Sequence, residues 1–251
     1  MLLPTLSPEE IATLERATID AVAPQSVDAL DGWLLPFDAS TIGRAKSAVP
    51  LRHQGLHVAD VATIEARYAG CGLPAAFRLA DSSSLAPLHE TLREHGYRAD
   101  QPTLVQVANT SDILQMSSNV RAQVDTTAHP NWAAVYTAPG FDPVDGQHRI
   151  AALSRSNSAM YAHITQEGAP VAAGVGSFSQ GWASIHGMRT VVSQRGHGLA
   201  RSILVALALE AKQRDICRFF LQVEEENTGA IALYAKAGFQ TVWRYHYWRT
   251  P

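Results

Sequence analysis

Apolar residues along this chain fall into two alternating rhythms, one near every third or fourth position and one at every second, which predict helices and strands in turn. Ser7-Pro8-Glu9-Glu10 supplies an N-cap, a proline at the first helical position and first-turn acids, and Ile11, Leu14, Ile19 and Val22 follow at helical spacing. The chain therefore opens with an amphipathic helix. A short apolar strand follows over 33–37, and Pro50 limits regular structure beyond 44–49. A helix over 59–69 carries Val61, Ile64 and Tyr68 and stops at Gly70 and Gly72. Strand 75–79, the turn Ser82-Ser83-Ser84, a helix over 85–95 ended by Gly96, and strand 103–107 come next.

The stretch 108–127 is polar apart from the alternation Val120, Ala122, Val124, which places a linker and a new first strand there. Two helices are expected over 132–136 and 146–154. Strands over 159–164, 170–178 and 182–192 then form an antiparallel meander with turns at Gly168 and Gly181. A long helix over 198–214 has a wide apolar stripe, Leu199, Ile203, Leu204, Ala206, Leu207 and Ala211, and its partner strand is 218–223. In the last strand, 242–248, large rings alternate with polar heads. That pattern suits core and edge pairing, or the wall of an acceptor pocket.

Segments 88–97 and 230–239 are each a helix ending in Gly-aromatic, each preceded by a short strand and followed by another. Gly-aromatic alone is a common helix ending. The shared order of four parts points further, to a tandem repeat of one α/β unit.

Composition narrows the function. With 251 residues, 46% hydrophobic and 17% charged, the chain can bury a sizeable core and is not disordered. A net charge of -3, from 20 Lys+Arg and 23 Asp+Glu, leaves no global positive field for a nucleic acid. Cys71 and Cys217 are too few and too distant for a disulfide framework or a cysteine metal site, which fits a reduced cytosol. His148, His163 and His186 match no ligand spacing, so no metal is expected. The first 21 residues lack a basic start before an unbroken apolar stretch, and no run approaches the ~20 apolar residues that span a bilayer. A cytoplasmic protein, neither exported nor embedded, is expected.

The sharpest local signal is the segment 190–201, where a strand passes through Gly196 and Gly198 straight into a helix. The glycines allow a tight turn and no more, or they let backbone amides at the new helix's N-terminus approach an anion such as a diphosphate. A dinucleotide fold fits poorly, because Arg201 stands at the third glycine position and the motif lies late, behind a meander. Coenzyme A is the other diphosphate to weigh.

Arg195, Gly198 and Ala200 meet the pattern Gln/Arg-x-x-Gly-x-Gly/Ala. Downstream, Leu221, Val223, Asn227, Ala230, Leu233, Tyr234, Gly238 and Phe239 repeat Leu-x-Val-x-x-x-Asn-x-x-Ala-x-x-Leu-Tyr-x-x-x-Gly-Phe. In both motifs and their separation the chain resembles the GCN5-related N-acetyltransferase superfamily, closely over 159–248 and through the repeated unit before that. In the first half Trp33 and Arg44-Ala45-Lys46-Ser47 match part of a signature of two-part members, with Pro36 and Lys46 departing, and no counterpart of the glycine loop occurs. The resemblance implies an α/β (α+β) fold of two tandem acyl-CoA N-acyltransferase-like domains, each a mixed, mostly antiparallel sheet flanked by helices. The first, 1–115, is degenerate, and the second, 116–251, binds acetyl-CoA.

By the resemblance, Met188, Arg189 and Thr190 pair with the pantetheine arm, while Arg195, Gly196, His197, Gly198, Leu199, Ala200 and Arg201 hold the pyrophosphate. Asn227 caps the last helix and contacts the arm. Tyr234 matches the tyrosine that protonates the departing thiolate, a role open to a phenol that is neutral at pH 7. Gln222 stands where some relatives carry a catalytic Glu, and an amide cannot act as base. His186, on the same strand face as Ser184 and near a histidine position of arylalkylamine acetyltransferases, is the first candidate for that role, with Glu224 in reserve. The implied reaction is direct acetyl transfer from acetyl-CoA to a small amine acceptor, by a monomer or homodimer. A protein N-terminal or lysine acetyltransferase and a non-catalytic acetyl-CoA sensor are the alternatives.

Overall fold

Ser7 and Glu10 close the expected capping box, the Ser7 hydroxyl accepting from the Glu10 amide and the Glu10 carboxylate from the Ser7 amide. They start helix α1 (Pro8–Val22), whose Leu14 and Ala17 pack on the main sheet against Trp182 and Phe220. The computed structural model describes residues 5–251.

Strands β1 (Ser26–Leu30), β2 (Trp33–Phe37) and β3 (Val49–Pro50) form a small antiparallel sheet. Four of the five β1 residues are exposed, so it lacks an apolar alternation and exists through its pairing with β2. Helix α2 (Asp60–Gly70), strand β4 (Phe77–Ala80), helix α3 (Ala86–Glu94) and the long strand β5 (Arg98–Asn109) follow. β5 starts five residues before the apolar stretch because its polar beginning is paired with the C-terminal strand.

Helix α4 (Thr110–Leu114) closes the first half, and the second runs through β6 (Gln123–Asp125), α5 (Pro130–Tyr136), α6 (Pro143–Leu153), β7 (Ala159–Gln166), β8 (Ala169–Ser179) and β9 (Trp182–Thr190). It ends with α7 (Leu199–Gln213), β10 (Arg218–Glu224), α8 (Thr228–Lys236) and β11 (Gln240–Arg249). The meander of β6 to β9 is antiparallel and turns at Gly168 and Gly181, both at positive φ. β9 and β10 are parallel, so α7 must cross over between them, and its apolar stripe packs on the meander.

One sheet of eight strands results, in the order β4-β11-β5-β10-β9-β8-β7-β6. Each half's last strand lies inside the other's territory: β11 between β4 and β5, and β5 between β11 and β10. The repeated unit is built alike in both copies. The Tyr97 amide reaches the Leu92 carbonyl at 2.9 Å and the Phe239 amide the Tyr234 carbonyl at 3.0 Å, across Gly96 and Gly238, each at φ +85°. Leu92, buried in the first half's own core, thus occupies the place of Tyr234.

Between α1 and the sheet, Arg78 of β4 forms a bidentate pair with Glu15 of α1, at 3.1 and 2.5 Å, and both are almost fully buried. The Arg78 guanidinium also lies over the ring of Tyr245 from β11, 5.1 Å from its centre. This contact ties the first helix, the edge strand β4 and the last strand of the chain together.

Candidate active site

β9 and β10 are hydrogen-bonded only as far as Ile185 and Leu221. Beyond that point β10 keeps its other neighbour, β5, through Gln222, Val223 and Glu224, while β9 diverges. A bulge assists the divergence: the β8 partners step from Val175 opposite His186 to Ala173 opposite Arg189, leaving Gly187 and Met188 against one residue. Gly187 is at φ +59°, its carbonyl accepts from the Tyr136 hydroxyl at 2.6 Å, and a Cβ there would lie 2.6 Å from that oxygen. Only glycine fits.

The parted strands open onto a cleft of about 670 Å³ lined by Met188, Thr190, Gly196, Gly198, Leu199, Arg201 and Tyr234. At one end stands the N-terminus of α7. Its cap is Gly198, at φ +77°, which has no side chain to satisfy the first-turn amides, and a Cβ there would come within 2.9 Å of the Arg201 guanidinium. Those amides carry the positive end of the helix dipole into the cleft. The residues present therefore fit a diphosphate. Arg195 and His197 are exposed beside the loop, the former within 3.4 Å of the Thr190 carbonyl.

A second cavity, of about 280 Å³, adjoins the first, with Met188, Asn227 and Tyr234 lining both. The second half contributes His186, Gln222, Glu224, Tyr245 and Tyr247 to it, and the first half contributes Gly43, Arg44, Gln101 and Thr103. Tyr234 is buried at the junction, and burial pushes its phenol up to about 12, so it stays protonated. Asn227 caps α8 by accepting from the Ala230 amide at 3.2 Å.

Arg189 lines the cleft between Met188 and Thr190, and its guanidinium is held by the chain itself. Its guanidinium meets Asp145 at 2.5 Å and the Tyr136 carbonyl at 2.9 Å, over the Phe141 ring. Asp145 also accepts from Arg149 and from the first half's Thr41, both at 2.7 Å. Burial alone would raise the Asp145 carboxyl, but hydrogen bonds from Arg149, Thr41 and Arg189 outweigh it and hold it at about 2.

His186 is buried, with Nε2 2.8 Å from the Ser184 hydroxyl on the same strand face. Burial, aided by the Arg44 charge, pushes its imidazole down to about 3, so it is neutral. Gln222 is fixed at both ends of its amide, donating to Thr18 and accepting from the Tyr245 hydroxyl, each at 3.0 Å. Glu224 is exposed at the rim and accepts from Gln101 at 2.7 Å, whose own carbonyl oxygen accepts from Arg249 at 3.2 Å.

Gln101, Thr103 and Arg249 line this cavity although nothing in their local sequence marks them, and Arg44 joins them from the partly matched segment 44–47. The ring alternation of 242–248 is a further usable signal, and it does bring Tyr245 and Tyr247 to the cavity wall. Among the described residues no group of three or more His, Cys, Asp or Glu is arranged to hold a metal, and no helix is long and apolar enough to cross a membrane. Cys71 and Cys217 are free and exposed.

The fold is that of the GCN5-related N-acetyltransferases. Residues 8–248 match the family model described as "Probable histone acetyltransferase Rv0428c C-terminal", and the chain belongs to that family. It is 24% identical over 196 residues, 72% of this chain and 74% of the relative, to a Bacillus subtilis (strain 168) protein named "Uncharacterized N-acetyltransferase YobR". A solved GCN5-related N-acetyltransferase from Kribbella flavida superposes with a TM-score of 0.70 at 16% identity, covering 96% of this chain and 95% of that one. A tandem GNAT protein from the clavulanic acid biosynthesis pathway superposes at 0.63 with 13% identity, covering 98% and 97%. This fold family implies use of acetyl-CoA.

Proposed function

We propose that the protein transfers the acetyl group of acetyl-CoA directly to the amine of a small acceptor. The observation that carries this reading is the junction at Tyr234, Met188 and Asn227, where the cleft with the glycine-lined helix terminus meets the 280 Å³ cavity. With walls from both halves, that cavity is sized for a small molecule.

Acetyl-CoA supplies an activated thioester carbonyl. The edge of β9 freed beyond Ile185, at Met188 and Thr190, pairs with the pantetheine amides, and the first-turn amides of Leu199, Ala200 and Arg201 hold the diphosphate. The Met188 amide, at the bulge, polarises the carbonyl. Tyr234, held protonated by burial, gives its proton to the departing thiolate. Glu224, a carboxylate at the rim, takes the proton of the acceptor amine. His186 is the weaker base because burial makes its imidazole hard to protonate, and it serves the cavity as a neutral wall or through a bound water. No covalent intermediate on the chain is needed.

Calorimetric titration with acetyl-CoA, followed by a screen of amines for thiol release, tests this. Binding that Gly198→Val abolishes, with release driven by small amines, is the expected result. The family's description favours a second reading, a protein lysine acceptor. Release with lysine-containing peptides and with no small amine would select it, and binding without release from any acceptor would select a sensor.

A further inference from the structure

We infer that the acceptor carries a carboxylate held by Arg44, on the same small molecule as the amine that meets Glu224. The acceptor class is thus an amino acid or other short aminocarboxylate. The inference rests on the acyltransferase reading above and names the substrate class of that site.

Three arginines line the acceptor cavity, and two of them are already neutralised. Arg149 is paired with Asp145 at 2.7 Å and Arg249 with Asp100 at 2.8 Å. Arg78, in the same region of the sheet, is taken by Glu15. Arg44 differs. Among the described residues it has no carboxylate within ion-pair distance; its Nε, like that of Arg78, is sealed from solvent without a hydrogen-bond partner, but Arg78 has Glu15 and Arg44 has no such counterion. Its charge is felt by His186 and Tyr247, which line the cavity with it, and at longer range by Glu15, which lies outside the cavity and is already gripped by Arg78. A half-buried guanidinium without a counterion costs free energy that a bound anion offsets.

Its position is built. Arg44 sits on the short 3-10 turn Gly43–Ala45, pressed so closely on β11 that a Cβ at Gly43 would fall 2.8 Å from the Tyr247 ring. Ser47 fixes the turn by donating to the Gly43 carbonyl at 2.7 Å. Tyr247 lines the same cavity, and with the Tyr245 hydroxyl already donating to Gln222, the Tyr247 hydroxyl 3.4 Å from it is the phenol donor left for the second oxygen of a carboxylate that Arg44 grips.

The anion does not come from the coenzyme. The cradle at Gly196, Gly198 and Arg201 lines the neighbouring cleft, and Arg44 does not. Glu224 supplies the complementary sign: its polar partner is the neutral Gln101 amide, and among the described residues no cation stands within ion-pair distance of it. One unpaired cation and one unpaired anion in a cavity of about 280 Å³ match a small zwitterion better than a monoamine or polyamine.

The test follows thiol release from acetyl-CoA by the full chain with α-, β- and γ-amino acids, each alongside its carboxamide. The expected result is a kcat/KM at least about tenfold higher for the best acid than for its amide, with the difference mainly in KM. Arg44→Gln should bring that ratio to within about twofold, while Arg44→Lys keeps part of it. Calorimetry should give both variants the wild-type affinity for acetyl-CoA, since Arg44 lies outside the coenzyme cleft. Amides acetylated as well as acids would overturn the inference with no variant needed, and so would a ratio that Arg44→Gln leaves intact. Either result spares the acyltransferase reading. Failure of the wild type to bind acetyl-CoA, or to release thiol with any amine, would sink that reading and this inference with it.

Discussion

Tyr245 on β11 stands directly opposite Thr103 on β5, at the centre of the pair where the last strand of each half crosses into the other half's sheet. The pairing extends to both sides of this point, with Gln240 opposite Val107 at one end and Arg249 opposite Arg98 at the other. The second half's β11 therefore joins β10 only through β5 from the first half, and the first half's β4 joins β5 only through β11.

Cutting the chain between 115 and 116 should accordingly give two fragments that do not fold alone. Without β5, fragment 116–251 exposes the edge of β10, an open template for aggregation. Size-exclusion chromatography should show each fragment aggregated or unfolded and the co-expressed pair eluting as one species. A soluble, cooperatively melting 116–251 would contradict the exchange.

Gly196 and Gly198 should respond differently to substitution, although both lie at positive φ. A Cβ at Gly196 meets nothing within 4 Å, so Gly196→Ala costs about 1 kcal/mol of backbone strain and weakens acetyl-CoA binding modestly. At Gly198, the N-cap of α7 at φ +77°, the tip of the Arg201 side chain can move aside, but a β-branched residue strains the backbone and stands over the first-turn amides, so Gly198→Val should weaken binding by about 100-fold or more. Calorimetry and thermal unfolding of the two variants separate the effects.

Tyr234→Phe should lower kcat by about 100-fold and leave acetyl-CoA affinity within about twofold. With its phenol held near 12, Tyr234 contributes no alkaline limb to the rate profile below about pH 10. A variant with wild-type kcat would remove Tyr234 from the chemistry.

His186 makes stability depend on pH. Its folded value of about 3 lies below the ordinary 6.5, so between these the unfolded chain binds a proton that the folded one refuses. Stability is full above pH 6.5 and falls as the pH drops towards 3, by about 2 kcal/mol between pH 7 and pH 5 from this group. Burial lowers His53, to about 4, and His89 and His163 in the same direction, so the total fall is larger. Urea unfolding at the two pH values, with His186→Gln as control, should show a smaller loss in the variant.

Breaking the Glu15 and Arg78 pair from one side should be costly. Glu15→Gln leaves a guanidinium buried without its charge partner and should destabilise the chain by about 3 kcal/mol or more, read by urea unfolding at neutral pH. A loss under about 1 kcal/mol would mean that water reaches the site and screens the charge.

Much of this molecule is legible in the sequence wherever one turn of chain decides the outcome. The Ser7 and Glu10 capping box, the Asn227 cap, the glycine endings at Gly96 and Gly238 and the meander turns at Gly168 and Gly181 are all set by neighbours a few positions away. The repeated unit and the glycine loop into α7 are legible for the same reason. Strand β1 is not, because its exposed residues carry no period and only pairing with β2 makes it a strand.

The tertiary structure alone decided the exchange of β5 and β11 and, through it, the cavity beside Tyr234. Gln101 holds Glu224 across 123 positions, Arg249 reaches Gln101 across 148, and Gln222 is fixed by Thr18 across 204. Capping and periodicity are local energies that a sequence displays residue by residue. Which strand fills which edge, and which guanidinium is left without a counterion, depend on contacts that form only when distant segments compete for the same surface.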